Sequence, residues 1–527
     1  MGKGKLKTTP LPIQVHRYTH LETIAESAQT TLGVRQLQPF FPPLEVLFKT
    51  NTLDTPAEYG LKLDEPIQSF LSPSEIRTSQ GIRPIHIKAT SILDSSKLMR
   101  GDYWDPSLPT TQSQASMTTA KIQSPNNASY VGALFASVFS QSKCVHFPKV
   151  YGVFSGLASS HTIDISDDYP ELMEHAWFVQ NIGKTFTLQL NDSLETGGAF
   201  THTRSSRMPL ELGESAELND IPEMETSHEE QSEELPALTQ IYQAHSDVHE
   251  TDSDSSSVST SYLFDVQSCD CSEKDDFLDE EDGDPYAWAT FTDIPVQYTI
   301  MEQCESTLHE LFAMNPELEK RMAWMAQIEF ALLFVQNTFG FVHNDLHSNN
   351  VMCVSTDIPW LYYKVDDVMF RVPTYGKIMK LIDFERGIGS VRVAGTKEPK
   401  LFVSDHFAKN NEAYGQYNMD PFFTSKFPVV KPHVSVDAVH LATSLFWDIY
   451  PDGEDRDDPL YETLKRWAGP LLFDTINPKH ERYHGFNLYK AIARLSKDTA
   501  ILRNEIERLP YIIASIPPTE PFLELKT

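Results

Sequence analysis

Residues 341–386 read FVHNDLHSNN VMCVSTDIPW LYYKVDDVMF RVPTYGKIMK LIDFER. Within them His343-Asn344-Asp345 is followed by Asn350, and Ile382-Asp383-Phe384 brings a second acid 33 residues after Asn350. Asp345 offers a carboxylate able to accept a hydroxyl proton, Asn350 an amide oxygen, and Asp383 another carboxylate. Magnesium-dependent phosphoryl transfer asks for little more, because positioning and charge stabilisation supply most of the catalysis. A four-letter pattern alone arises by chance in 527 residues. Its surroundings make this one informative. The apolar spacing of Met325, Ile328, Leu332 and Val335 predicts a helix running to Phe339 and ended by Gly340. Val351 and Met352 then read as a short strand, and Ile378–Ile382 as the strand that delivers Asp383.

Further upstream, Asn315-Pro316-Glu317 reads as the start of that helix, with Asn315 as its cap and Pro316 at its first position, and a shorter helix spans 305–312. Val296–Cys304 reads as a strand running into a connector, and the alternation of 83–89 predicts a strand ending near Lys88. Lys49 and Lys62 compete with Lys88 for any role in binding phosphate. His146–Phe154 and Ala176–Gln180 read as further strands, and Ser129–Ser140 as an apolar helix without an acidic residue. Downstream, Ser435–Phe446 predicts a buried helix with one carboxylate, Asp437.

Charge is concentrated. Residues 191–290 hold 26 acidic and three basic side chains, so they carry −23 of the net −31. Low hydrophobicity with like charge does not offset the entropy of ordering, so 191–285 is expected to be a disordered acidic insertion. It reads either as a solvated spacer between strands or as a docking tail for basic partners. No broad basic surface favours nucleic acid, and no apolar run is long enough to span a bilayer. The start, MGKGKLKTTP, lacks the apolar run of a signal peptide, and Leu6 stands where a myristoylation motif wants Ser or Thr. Cysteines 144, 269, 271, 304 and 353 show neither disulfide nor zinc spacing. An intracellular protein is the expectation.

The order helix, glycine, short strand, HxD loop and Asp-Phe turn resembles the large lobe of protein kinases. HNDLHSNNVM, LYYK, VPTYGKIMKLIDF, GQYNMDPFF and the 435–446 helix together look like the putative Ser/Thr protein kinases of large nucleocytoplasmic DNA viruses. The resemblance is strong over about 340–450 and loose over 85–154. It implies an α+β, bilobal kinase-like fold with a small β-rich N-lobe and a mainly helical C-lobe. The expected division is an extension at 1–75, N-lobe at 76–190, the insertion at 191–285, a last strand and hinge at 286–304, and C-lobe at 305–527. It further implies ATP with Mg2+ or Mn2+, and a viral or host protein substrate. The implied location is host cytoplasm or virus factory, with packaging in the virion. Asp345 is then the catalytic base, with His343 beside it. Asn350 and Asp383 are metal ligands, Lys88, Glu302 and Cys304 contact the nucleotide, and Asp437 braces the catalytic loop.

Several departures qualify the activity. No GxGxxG loop precedes Lys88, and the helix after it lacks the carboxylate that normally pairs with such a lysine, with Glu171 and Glu174 as the substitutes. Asn344 stands where many kinases have Arg, and His347 where many have Lys. The segment between Asn350 and Asp383 is long. Glu385 takes the place of the glycine of DFG. Three functions compete: an active Ser/Thr kinase, a pseudokinase serving as virion or scaffold protein, and a small-molecule phosphotransferase suggested by His347.

Overall fold

The computed structural model describes residues 13–50, 53–104, 106–110, 115–142, 144–166, 168–191, 286–453, 457–473, 482–483 and 485–525. The chain is mixed α/β, with several sheets and helices. The expected disordered insertion, with Cys269 and Cys271, lies outside the described residues. Its two ends do not: Thr187–Asn191 and Tyr286–Phe291 pair antiparallel, with Asn191 opposite Tyr286.

A six-stranded antiparallel sheet forms the first half, in the order Val34–Gln38, Val150–Ala158, Ile294–Glu302, Gly81–Ser91, Glu75–Thr78, Ile67–Ser72. Lys88 sits in the Gly81–Ser91 strand, opposite Thr299. Residues 13–75, read from the sequence as an extension, supply both edge strands. They also supply the helix Leu21–Leu32, which buries Ile24 and Ala28 and whose Ser27 Oγ accepts from the Phe70 N–H at 3.0 Å. Their short apolar runs carry no strand signal, and only long-range pairing shows that they complete this sheet. Ala176–Asn181 is a helix rather than a strand, closing over the buried Phe178.

The helix Ala128–Ser140 begins at Asn127, whose side-chain oxygen accepts from the Ser129 N–H. Its face carries Phe135 and Phe139 onto Phe341, and Phe139 meets Phe384 edge-on at 5.0 Å. One aromatic cluster thus joins this helix to the two loops that hold the candidate chemistry.

The second half is built on the helix Leu318–Phe339, which ends at Gly340 in the left-handed region (φ 56°). Asn315 is the C-cap of the preceding helix Leu308–Met314, and Glu317 is the N-cap of the long one. The expected cap is therefore displaced by two residues, and the earlier helix starts later than the sequence suggested, at a capping box formed by Thr307 and Glu310. Every residue from Ala323 to Gln336 is buried, so the helix is enclosed on all sides rather than along one stripe. Gln327 binds the Lys377 carbonyl and the Met379 N–H, fixing the strand Lys377–Leu381 that leads to Asp383.

The long segment between Asn350 and Asp383 forms the hairpin Trp360–Val365/Val368–Pro373. Phe522–Leu525 adds to it in parallel and Ile512–Ile513 antiparallel. Tyr363 stacks on Phe330 of the long helix, with centroids 4.0 Å apart and planes at 8°. Among the described residues no helix is long and apolar enough to cross a membrane.

Candidate active site

Two loops and one strand meet at the site. Asp437, fully buried on the helix Val436–Ile449, accepts from the backbone N–H of His343 and of Asn344, each at 2.9 Å. Burial raises its pKa, opposed by His343 and by these two bonds. Asn344 turns the chain with φ 67°, a conformation Asn tolerates better than most residues. Its side-chain nitrogen donates to the Val342 and Arg386 carbonyls, and its oxygen accepts from the Tyr417 hydroxyl. An asparagine that looks like a loss in the sequence is thus a structural knot between the two loops. His343 also ties one loop to the other, because its Nε2 lies 2.7 Å from the Ile382 carbonyl. The ring is engaged there instead of facing the cleft.

These ties present Asp345. Tyr489, on the helix Phe486–Leu495, donates to Asp345 Oδ1 at 2.8 Å. The Arg386 guanidinium lies 3.6 Å from the same oxygen, stacks over the Tyr489 ring and pairs with Glu412 at 2.8 Å. His440 packs edge-on against Tyr489, and burial pushes its imidazole down to about 3 despite the charge of Asp345. Asn350, itself buried, donates its amide N–H to the Asp345 carbonyl at 2.8 Å.

Lys88 reaches across from the sheet to the turn after Ile382. Its Nζ lies 2.9 Å from Asp383 Oδ1 and 2.9 Å from Glu385 Oε1. Thr90, two residues along the same strand and so on the same face, donates to Glu385 Oε1 at 2.7 Å. Burial alone would lower the lysine pKa, but the two carboxylates outweigh it and raise it, so Lys88 stays cationic. Burial, with the charge of Asp383 adding to it, raises Glu385 against the pull of Lys88. Asp383 has φ 61°, and its side chain is 31% exposed, the most accessible of the three. Glu171 and Glu174 belong to the helix Tyr169–Glu174, and Lys88 pairs instead with Asp383 and Glu385.

Gly132, on the helix Ala128–Ser140, makes the arrangement possible. A Cβ there would stand 2.7 Å from Glu385 Cγ and 3.4 Å from its Cα. The helix itself is anchored at its start. Asp405 accepts from the Ala128 N–H at 2.9 Å and pairs with Lys121 at 2.8 Å, and Lys121 pairs in turn with Asp94 at 2.8 Å. A cleft of about 860 Å³, counted with the solvent it opens to, is lined by Thr90, Lys121, Asp345, Asp383, Glu385 and Arg386 among others.

Glu302 and Cys304 lie at the far end of the Lys88 sheet. The Glu302 carboxylate pairs with the buried Lys380 at 3.0 Å and accepts from the Lys149 N–H, so its side chain is engaged with the protein. Cys304 is a half-buried thiol whose Sγ lies 4.0 Å from the Glu302 carbonyl. Lys49 caps the helix Pro43–Phe48.

Among the described residues no group of three or more His, Cys, Asp or Glu side chains is arranged to hold a metal ion. Magnesium does not need one, since it takes one or two carboxylates together with phosphate and water. The accessible carboxylate of Asp383 suits that demand, and Asn350 is the nearby amide, tied to the Asp345 carbonyl.

Sequence reasoning missed Tyr489, Arg386, Thr90 and Lys121. It saw Glu385 only as a departure. The one signal pairing Glu385 with the helix was a glycine, Gly132, inside a helix without an acidic residue.

No family model matches the chain. A stretch of 62 residues, 12% of the chain, is 32% identical to the uncharacterized protein ZK177.2 of Caenorhabditis elegans and covers 21% of that relative. The chain thus matches about a fifth of the relative's length.

Proposed function

We propose that this protein is an ATP-dependent phosphotransferase of the bilobal protein-kinase type, acting on Ser/Thr hydroxyls of a protein. The observation that carries the reading is convergence. Lys88 and Asp383, 295 residues apart, are bonded at 2.9 Å, Asp345 and Asp383 line one cleft, and Asn350 bonds the Asp345 carbonyl. In this reading Asp383 and Asn350 hold Mg2+, which neutralises phosphate charge when bound. Lys88 steadies the phosphates, Asp345 orients the acceptor hydroxyl and accepts its proton, and Asp437 keeps the Asp345 loop in place. Glu302 and Cys304 contribute through their backbone to the base of the nucleotide. The likeness to viral kinases belongs to the same proposal, with a viral or host protein substrate and a virus-factory or virion location.

The scaffold reading rests on Glu385 in the DFG glycine position, on the missing Gly-rich loop and on the missing helix partner of Lys88. Glu385 fills that gap, and this supports transfer over a purely structural role. The test is incorporation of label from γ-labelled ATP into a panel of Ser- and Thr-containing proteins. Asp345→Asn is the control. Label that appears with the unsubstituted protein and drops by about a hundredfold or more in the variant supports the reading. Equal labelling by both, or none by either, sinks it. Transfer to small alcohols or amines and to no protein would favour the small-molecule alternative.

A further inference from the structure

We propose that Glu385 is the positioning residue for Lys88 in phosphate binding, a role moved from the helix Ala128–Ser140 onto the turn that carries Asp383. The inference rests on the phosphotransferase reading above and concerns how that site is kept in register.

A lysine that binds phosphate must be held in place, because its four-carbon stem has many rotamers and ordering them costs free energy. The helix facing Lys88 carries no acidic residue from Ala128 to Ser140. Glu385 lies where a carboxylate from that helix would reach: Lys88 Nζ is 2.9 Å away, and the ideal Cβ of Gly132 is 2.7 Å from Glu385 Cγ. The side chain of Glu385 and a side chain at 132 would therefore compete for one volume. Each residue explains the other. Glycine at 132 leaves room, and glutamate at 385 supplies the charge that the helix lacks.

Asp383 also touches Lys88, but it is the more exposed carboxylate and the one placed to meet a metal. Glu385 is only 12% exposed, and its other hydrogen-bond partner is the Thr90 hydroxyl on the lysine's own strand. When Asp383 is drawn to a cation, Lys88 still has a fixed anionic partner.

The experiment measures binding of ATP with Mg2+ and of adenosine by calorimetry on the full chain. It compares the unsubstituted protein, Glu385→Gln, Glu385→Gly, and the double variant Gly132→Glu/Glu385→Gly. Loosening Lys88 is expected to weaken ATP about tenfold in both single variants, while adenosine, which has no phosphate, changes less than about twofold. The double variant, with its carboxylate returned to the helix, regains most of the ATP affinity. A merely structural role would lower ATP and adenosine together, and that result overturns the proposal. So does ATP affinity indifferent to both single substitutions, or a double variant that keeps the adenosine affinity without recovering ATP. If the unsubstituted protein binds no ATP, the phosphotransferase reading falls and takes this inference with it. ATP binding that ignores Glu385 removes the inference alone.

Discussion

Gly132 and Glu385 are packed so closely that a methyl group on the glycine would stand 2.7 Å from the Glu385 Cγ. Glycine in a helix interior costs about 1 kcal/mol relative to alanine, so a reason for it is expected, and here the reason is room. Gly132→Ala should therefore fail to stabilise the protein. The overlap should instead cost about 1–3 kcal/mol, read as a lower urea midpoint. In a Glu385→Gly background the same substitution should be neutral or stabilising. Additive effects in the two backgrounds would show that the two residues do not compete.

Asp437 accepts two backbone N–H groups inside the core. Asp437→Ala orphans both, and each buried unsatisfied donor costs about 1–3 kcal/mol. A fall in unfolding free energy of about 2–5 kcal/mol is the expected result. A loss below about 0.5 kcal/mol would mean that the loop at 343–345 holds its shape unaided.

Tyr489 and Arg386 orient Asp345 from a helix late in the chain and from the Asp383 turn respectively. Tyr489→Phe keeps the ring under Arg386 and removes only the hydrogen bond. ATP affinity should stay within about twofold, while the transfer rate falls by about tenfold, since small misplacements of a reacting group are costly. A change in ATP affinity with no change in rate would contradict this placement.

His146 is fully buried, with Nδ1 at 2.9 Å from the Met379 carbonyl and Nε2 at 2.7 Å from the Tyr363 hydroxyl. Burial pushes its imidazole down to about 4, opposed by the bond to Met379 and helped by Lys380. Between about 6.5 and 4 the unfolded chain takes up a proton here that the folded chain refuses. Stability present above 6.5 is therefore lost as pH falls, by about 3 kcal/mol from this group. His146→Asn should flatten the pH dependence over that window by about one proton. Urea titrations at several pH values check it, and an unchanged slope would count against a neutral buried ring.

Asn191 and Tyr286 are register partners in one antiparallel ladder. Replacing 192–285 by a two-residue Asn-Gly turn should join the strands without disturbing the sheet. The melting temperature and ATP affinity should persist, whereas any affinity for basic proteins that depends on the acidic segment should vanish. A shortened chain that fails to fold would show that the segment supports the sheet.

The local devices were legible in the sequence. The 343–345 loop, the strand to Asp383, the end of the long helix at Gly340 and the Asp437 helix all rest on short-range patterns. What was hidden depends on pairs distant in the chain. Val34–Gln38 and Ile67–Ser72 join the Lys88 sheet through partners that no local periodicity reveals. Ala176–Asn181, too short for its period to be decisive, is a helix whose Phe178 packs inward. Glu385 was visible as a departure, yet its meaning needed the spatial neighbour Gly132, 253 residues away.

Whether Lys88, Asn350 and Asp383 form one nucleotide and metal site is best decided by thermal-shift titration with ATP. It is run with and without Mg2+, on the unsubstituted protein and on Asp383→Asn. ATP at about 100 times its dissociation constant adds roughly 2.7 kcal/mol to the native state, a readily visible shift. A shift that requires Mg2+ and disappears in Asp383→Asn is expected. No shift under any condition, or one that neither Mg2+ nor the substitution alters, would mean that these three residues do not form such a site.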